Sequence, residues 1–198
     1  GVGANGGCTK GAAMRALPIG WIVPCHKASL RREVVYRLSK VTHGDMHAVA
    51  SACVIAAMAS LSVESASCDA VVAAGRGESR WLRRHGWLSE QAERAILSGR
   101  RSLYETISEN AELDPVLMVS EVIRIIARAR SLEDALLESV QNGGDTDTRA
   151  ALVGGILAPI YGPSPGVLAW QVKARLPDAE RIATVAQRLC AERCGHYR

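Results

Sequence analysis

The stretch Met46-His-Ala-Val-Ala-Ser-Ala-Cys-Val-Ile-Ala-Ala-Met-Ala-Ser-Leu-Ser62 decides the architecture. Its Ala, Val and Ile residues leave no polar face at helical spacing. A helix that is apolar on every side belongs in an interior. Asp45 stands immediately before it, where a carboxylate accepts from the free N–H groups of a first turn. Cys53 lies within the run and acts there as a small hydrophobe. A buried central helix needs other helices around it, and the rest of the chain supplies them.

The composition agrees. Of 198 residues, 48% are hydrophobic, only 4% are aromatic, and there is no Phe. Small aliphatic residues suit helix–helix contacts better than sheets, which favour aromatic and β-branched side chains. No period-two alternation persists, so the expectation is a single all-α domain over residues 1–198. Its helices are read at Ala12–Trp21 (interrupted by Pro18), Leu30–Lys40, Met46–Ser62, Ser65–Val72, Ser89–Ser98 and Val116–Arg130. Others follow at Leu132–Gln141, Asp147–Tyr161, Val167–Ala174 and Asp178–Ala191. Gly75–Trp87 is basic and punctuated by glycine, and reads as surface.

The net charge is +4. The arginine groups at Arg31-Arg32, Arg80–Arg84 and Arg100-Arg101 are short. They read as solvated faces rather than a nucleic-acid stripe. No run of apolar residues is long enough to span a bilayer. The six cysteines include no Cys-x-x-Cys pair, which suits a reducing, cytoplasmic setting. Cys190, Cys194 and His196 resemble a soft-metal cluster but lack a second ligand pair.

Gly143-Gly144-Asp145-Thr146-Asp147-Thr148 carries the strongest chemical signal. Two carboxylates one residue apart, with a hydroxyl adjoining, suit a hard divalent cation such as Mg²⁺. Asp and Thr at a helix start also serve as caps, and both readings stay open on the residues alone. A second segment, Gly6-Gly7-Cys8-Thr9-Lys10-Gly11, runs directly into a helix. Glycine-loop N–H groups at a helix start can cradle phosphate, though a plain turn is the simpler account. His43 precedes the buried helix. With His47 it has the spacing of a metal pair, but lacks the glutamate of the zinc-protease motif.

Taken in order, three segments resemble the ADP-ribosylglycohydrolase (dinitrogenase-reductase-activating glycohydrolase) family, in its C-terminal portion. They are Gly11-Ala12-Ala13-Met14-Arg15 with Pro18 and Gly20, Thr42-His43-Gly44-Asp45, and Gly143–Thr148 with the helix to Tyr161-Gly162. The resemblance implies an all-α fold that cleaves an N- or O-glycosidic bond to ADP-ribose at a dinuclear Mg²⁺ centre, where Mn²⁺ can substitute. It implies metal ligands at Asp145, Asp147 and Thr148. It implies ligand contacts from Gly7, Cys8, Thr9, Lys10 and Gly11 around the diphosphate, and from His43 in the cleft. Arg15 is expected to support the loop.

Two residues depart from the family pattern. Lys10 stands where Asn is usual, and Arg149 where a small or apolar residue is usual. The family's N-terminal half, with its Thr-Asp-Asp-Thr motif, has no counterpart here. The chain reads as the C-terminal portion of such a protein, with a second chain or further segment completing the metal site. The alternative is a non-catalytic protein that binds ADP-ribose or a nucleotide on the same fold. Neither reading implies nucleic acid or a membrane as partner.

Overall fold

A computed structural model describes residues 7–64, 67–99, 111–141, 143–162, 164–174 and 178–195. The helices are α1 Gly11–Met14, α2 Leu17–Ile22, α3 Ala28–Lys40, α4 Met46–Ser62, α5 Cys68–Arg84, α6 Glu90–Ser98, α7 Pro115–Arg128, α8 Leu132–Gln141, α9 Thr146–Tyr161, α10 Pro165–Ala174 and α11 Ala179–Gly195. No strand occurs among the described residues, and the chain is all-α.

Helix α4 is the axis. Fourteen of its residues, Ala48–Ser60 and Ser62, are buried, so it has no solvent face. It packs against α1, α2, α3, α5, α7 and α9. Asp45 accepts from the Ala48 N–H at 3.0 Å and caps it, as expected. The alanines let neighbours approach closely. A Cβ at Gly20 would lie 2.4 Å from the Ala56 carbonyl, so α2 can cross α4 at this point only with glycine.

The expected helix Ala12–Trp21 divides into α1 and α2 at Arg15–Ala16. Pro18 falls in the first turn of α2, where its missing N–H breaks no helical bond. Residues 65–87 differ more. Cys68–Arg84 forms one continuous helix, not a short helix followed by surface loop. Val71, Val72, Gly75, Glu78, Ser79 and Leu82 make its buried stripe. Gly75 receives the Met58 side chain of α4, whose sulfur would lie 2.7 Å from a Cβ there. Packing against α4 outweighs the poor helix propensity of glycine.

Arg31 and Arg32 also depart from expectation. They are not on a solvated face. Both reach the buried Glu78, with Arg32 donating to its two carboxylate oxygens at 2.6 and 2.8 Å. Arg32 also lies over the Trp81 ring, 3.7 Å from its centroid. Arg80 and Arg84 are exposed as expected, and Arg100-Arg101 fall outside the described residues.

Helix α9 contains Pro159, which cannot donate to the Gly155 carbonyl one turn earlier. The Trp21 indole N–H donates to that carbonyl at 3.3 Å, joining α2 to α9. Far along the chain, Arg193 of α11 donates to the carbonyls of Gly20, Trp21 and Ser60 at 3.1, 2.9 and 3.1 Å. A cation there suits the negative helix ends of α2 and α4. No described helix is long and apolar enough to cross a membrane. The described cysteines are all free; Cys190 and Cys194 are exposed on α11, and His196 lies outside the described residues.

Candidate functional site

The loop 7–10 and α1 lie between His43 on one side and the start of α9 on the other. The first junction is built by absence of side chains. A Cβ at Gly7 would lie 2.2 Å from the Thr42 carbonyl oxygen, and one at Gly11 would lie 3.0 Å from the His43 ring. The Gly7 carbonyl in turn accepts from the Asp45 N–H at 3.2 Å. Glycine at both places therefore lets loop and His43 segment touch.

Side chains complete this junction. The Thr9 hydroxyl and His43 Nε2 lie 3.1 Å apart, and the Thr42 hydroxyl and His43 Nδ1 lie 2.8 Å apart. Arg15 donates to the Thr42 hydroxyl and, at 3.4 Å, to the Gly11 carbonyl. It braces the loop, as expected. Burial, followed by the nearby Arg15 charge, lowers the His43 pKa below its usual value. The imidazole is therefore held neutral, with both nitrogens engaged. His47 faces elsewhere and accepts from the Ser89 N–H at 3.2 Å at the start of α6.

The second junction joins the loop to α9. Lys10 is buried, and its ammonium pairs with Asp145 Oδ2. The same ammonium donates to the Glu112 carbonyl at 2.6 Å, while the Lys10 N–H donates to Leu113 at 3.0 Å. Asp145 caps α9, its Oδ1 accepting from the Thr148 N–H at 3.4 Å. Asp147 Oδ1 accepts from that same N–H at 2.9 Å. Burial raises the Asp145 pKa. Hydrogen bonds with Asp147, Lys10 and Thr148, together with the Lys10 charge, outweigh it and hold the carboxyl well below the usual range. Asp147 is exposed, Thr148 is buried, and the Thr148 hydroxyl donates to the Met14 sulfur at 3.7 Å.

Arg149 turns inward. Its guanidinium donates to Ser139 and Gly143 carbonyls at 2.8 and 2.6 Å and to Glu121 at 2.7 Å. It ties α7, α8 and the turn before α9 together. A polar cavity of about 210 Å³ opens beside this cluster, lined by Glu112, Asp114, Glu121, Gly143, Asp145 and Arg149 among others. That is below the usual ~300–1,000 Å³ of drug-sized ligand pockets and closer to one sugar ring.

The loop residues, His43 and the head of α9 thus meet in one region. Cys8 is exposed on the loop. The sequence reading missed Glu121. Its signal is visible afterwards: it is the one carboxylate in the largely apolar helix Pro115–Arg128. It also read Lys10 toward the diphosphate; in the structure the ammonium pairs with Asp145.

The donor set has the right chemistry for Mg²⁺ in kind, since all three groups offer oxygen. It does not fit as arranged. One Asp145 oxygen faces an ammonium, and one oxygen of each aspartate accepts from the α9 backbone. Each Mg²⁺ wants about six oxygen ligands. Among the described residues no group of three or more His, Cys, Asp or Glu side chains converges to hold an ion.

No curated protein matches the chain. A profile of the ADP-ribosylglycohydrolase family matches residues 1–198, the whole of it. The all-helical fold and the match together show that the chain belongs to the ADP-ribosylglycohydrolase family.

Proposed function

We infer from family membership the broad class, a glycohydrolase-type function. We propose that this chain acts on the glycosidic bond of an ADP-ribosyl or related ribosyl substrate. The observation that carries the reading is the meeting of the Gly7–Gly11 loop, His43 and the Asp145–Asp147 pair in one region. In this reading the loop N–H groups take the diphosphate, and the neutral His43 keeps Thr9 and the loop in register. The sugar lies toward the head of α9.

Glycoside cleavage develops positive charge on the sugar as the leaving group departs, and a nearby carboxylate stabilises it. Asp147 is the exposed member of the pair, so it is the one placed to accept a ribose hydroxyl or a proton from the attacking water. Water adds at the anomeric carbon, the glycosidic bond breaks, and the leaving group takes a proton. Divalent ions in this reading would need Lys10 displaced and further oxygen ligands from outside the described cluster.

The Lys10–Asp145 pair favours a second reading, a protein that binds ADP-ribose or a nucleotide without turnover. One experiment separates them. ADP-ribose binding is measured by calorimetry, and ADP-ribose release is measured from arginine-, serine- and nucleobase-linked substrates. Each is run with and without Mg²⁺, and with and without a chain bearing paired aspartates. Release that Asp147→Asn abolishes supports the hydrolase. Binding without release in every arm supports the second reading. Absence of ADP-ribose binding sinks both.

A further inference from the structure

We propose that Lys10 supplies the resident cation of the Asp145 carboxylate, so that the head of α9 is charge-balanced by the protein itself and closed to a divalent ion. The cluster is the one read above as the sugar end of the site, but the charge argument goes beyond that reading and holds apart from it.

A buried lysine needs a carboxylate and hydrogen-bond acceptors to offset its lost hydration. Lys10 has both: Asp145 Oδ2 and the Glu112 carbonyl at 2.6 Å. Its position is fixed further by its backbone N–H on the Leu113 carbonyl. The ammonium is therefore a built feature, seated between α1, the turn before α7 and α9. It stands on the Asp145 oxygen that a metal would use.

The second cation strengthens the argument. Arg149 is 3% exposed and holds the Gly143 carbonyl and Glu121. It lines the same cavity as Asp145. Two fixed positive charges thus flank the acidic turn, and they are the two residues at which the sequence departs from the family pattern. A divalent ion entering beside Asp145 would meet the Lys10 ammonium directly and the Arg149 guanidinium across the same cavity, and like charges repel. Asp145 is also spent on its helix, since its other oxygen accepts from Thr148. What remains for a ligand is the exposed Asp147, a group suited to sugar hydroxyls.

The test is titration of the full chain with Mn²⁺, read by the paramagnetic signal of the free ion and with no substrate present. The wild type is compared with Lys10→Asn, and Lys10→Asn with Lys10→Asn/Asp145→Asn. Lys10→Asn should bind Mn²⁺ tighter than the wild type by about tenfold or more, because a like charge has gone. The added Asp145→Asn change should remove that gain. Equal affinity of wild type and Lys10→Asn, including no binding by either, overturns the proposal. So does a gain that survives loss of Asp145. Should Lys10→Asn not fold, Lys10→Met keeps the apolar stem and serves the same comparison. Calorimetry with ADP-ribose on the same proteins separates the two readings. The expected Mn²⁺ ratio without ADP-ribose binding would refute the ribosyl reading and leave this one standing.

Discussion

Arg149 and Glu121 form an ion pair at 2.7 Å in which the arginine side chain is 3% exposed and the glutamate 13%. The pair links α9 to α7, and the arginine also holds the carbonyls of Ser139 and Gly143. Removing one member of such a pair leaves the other charge buried, at a cost of about 3–5 kcal/mol. Arg149→Met should therefore lower the melting temperature by roughly 10 °C in a chain of this size. Arg149→Met with Glu121→Leu should recover most of that. Thermal unfolding followed by circular dichroism decides it, and a single variant as stable as the wild type would contradict the pairing.

Gly7 and Gly77 offer a matched contrast. A Cβ at Gly7 meets the Thr42 carbonyl oxygen, whereas one at Gly77 meets nothing within 4 Å. Gly77 lies inside α5, so Gly77→Ala should stabilise the chain by about 0.5–1 kcal/mol. Gly7→Ala must push the loop away from His43. It should weaken ADP-ribose binding by about tenfold or more, since misplaced loop N–H groups lose their aim. Unchanged affinity in Gly7→Ala would show that the loop does not touch the ligand.

Trp21 and Pro159 should be energetically coupled. The indole N–H serves the Gly155 carbonyl because Pro159 cannot. Trp21→Phe should cost about 1–2 kcal/mol, from a half-buried acceptor left without its donor plus lost contact area. In a Pro159→Ala background the helix can supply its own donor, so the same change should cost less. A double-mutant cycle with zero coupling would remove the indole from this role.

His43 gives the pH dependence. Its folded pKa lies below the unfolded value of 6.5. Between the two values the unfolded chain binds the proton and the folded chain does not. The His43 contribution is thus complete above about pH 6.5 and is lost as pH falls through the folded pKa. Melting temperatures of wild type and His43→Gln from pH 8 to pH 5 should converge as the solution becomes acid. Parallel curves would mean that the imidazole is not held neutral.

The core of this fold is legible in one sequence because α4 is apolar at every position and Asp45 announces its start. Caps such as Ser89, Asp114 and Asp145 are equally local, for their side chains act within one turn of themselves. Residues 75–84 were misread because glycine signals a break locally, while the reason for Gly75 is the Met58 side chain of another helix. The Arg31-Arg32 pair misled for the same reason, since Glu78 lies on α5. In the site, the Gly, His and Asp motifs stood out by residue type. That Lys10 pairs with Asp145, and Arg149 with Glu121, depends on contacts between segments far apart in sequence.

Arg193 ends on carbonyls of Gly20 and Ser60, 173 and 133 residues before it. During synthesis the last turns of α2 and α4 are made long before their partner leaves the ribosome. Contacts of such long range close late and slow folding. A nascent chain halted before α11 would carry two helix ends with those carbonyls still lacking the guanidinium. Loss of α11 would thus leave its mark at a defined place far from the cut, the ends of α2 and α4, where quality control could recognise it.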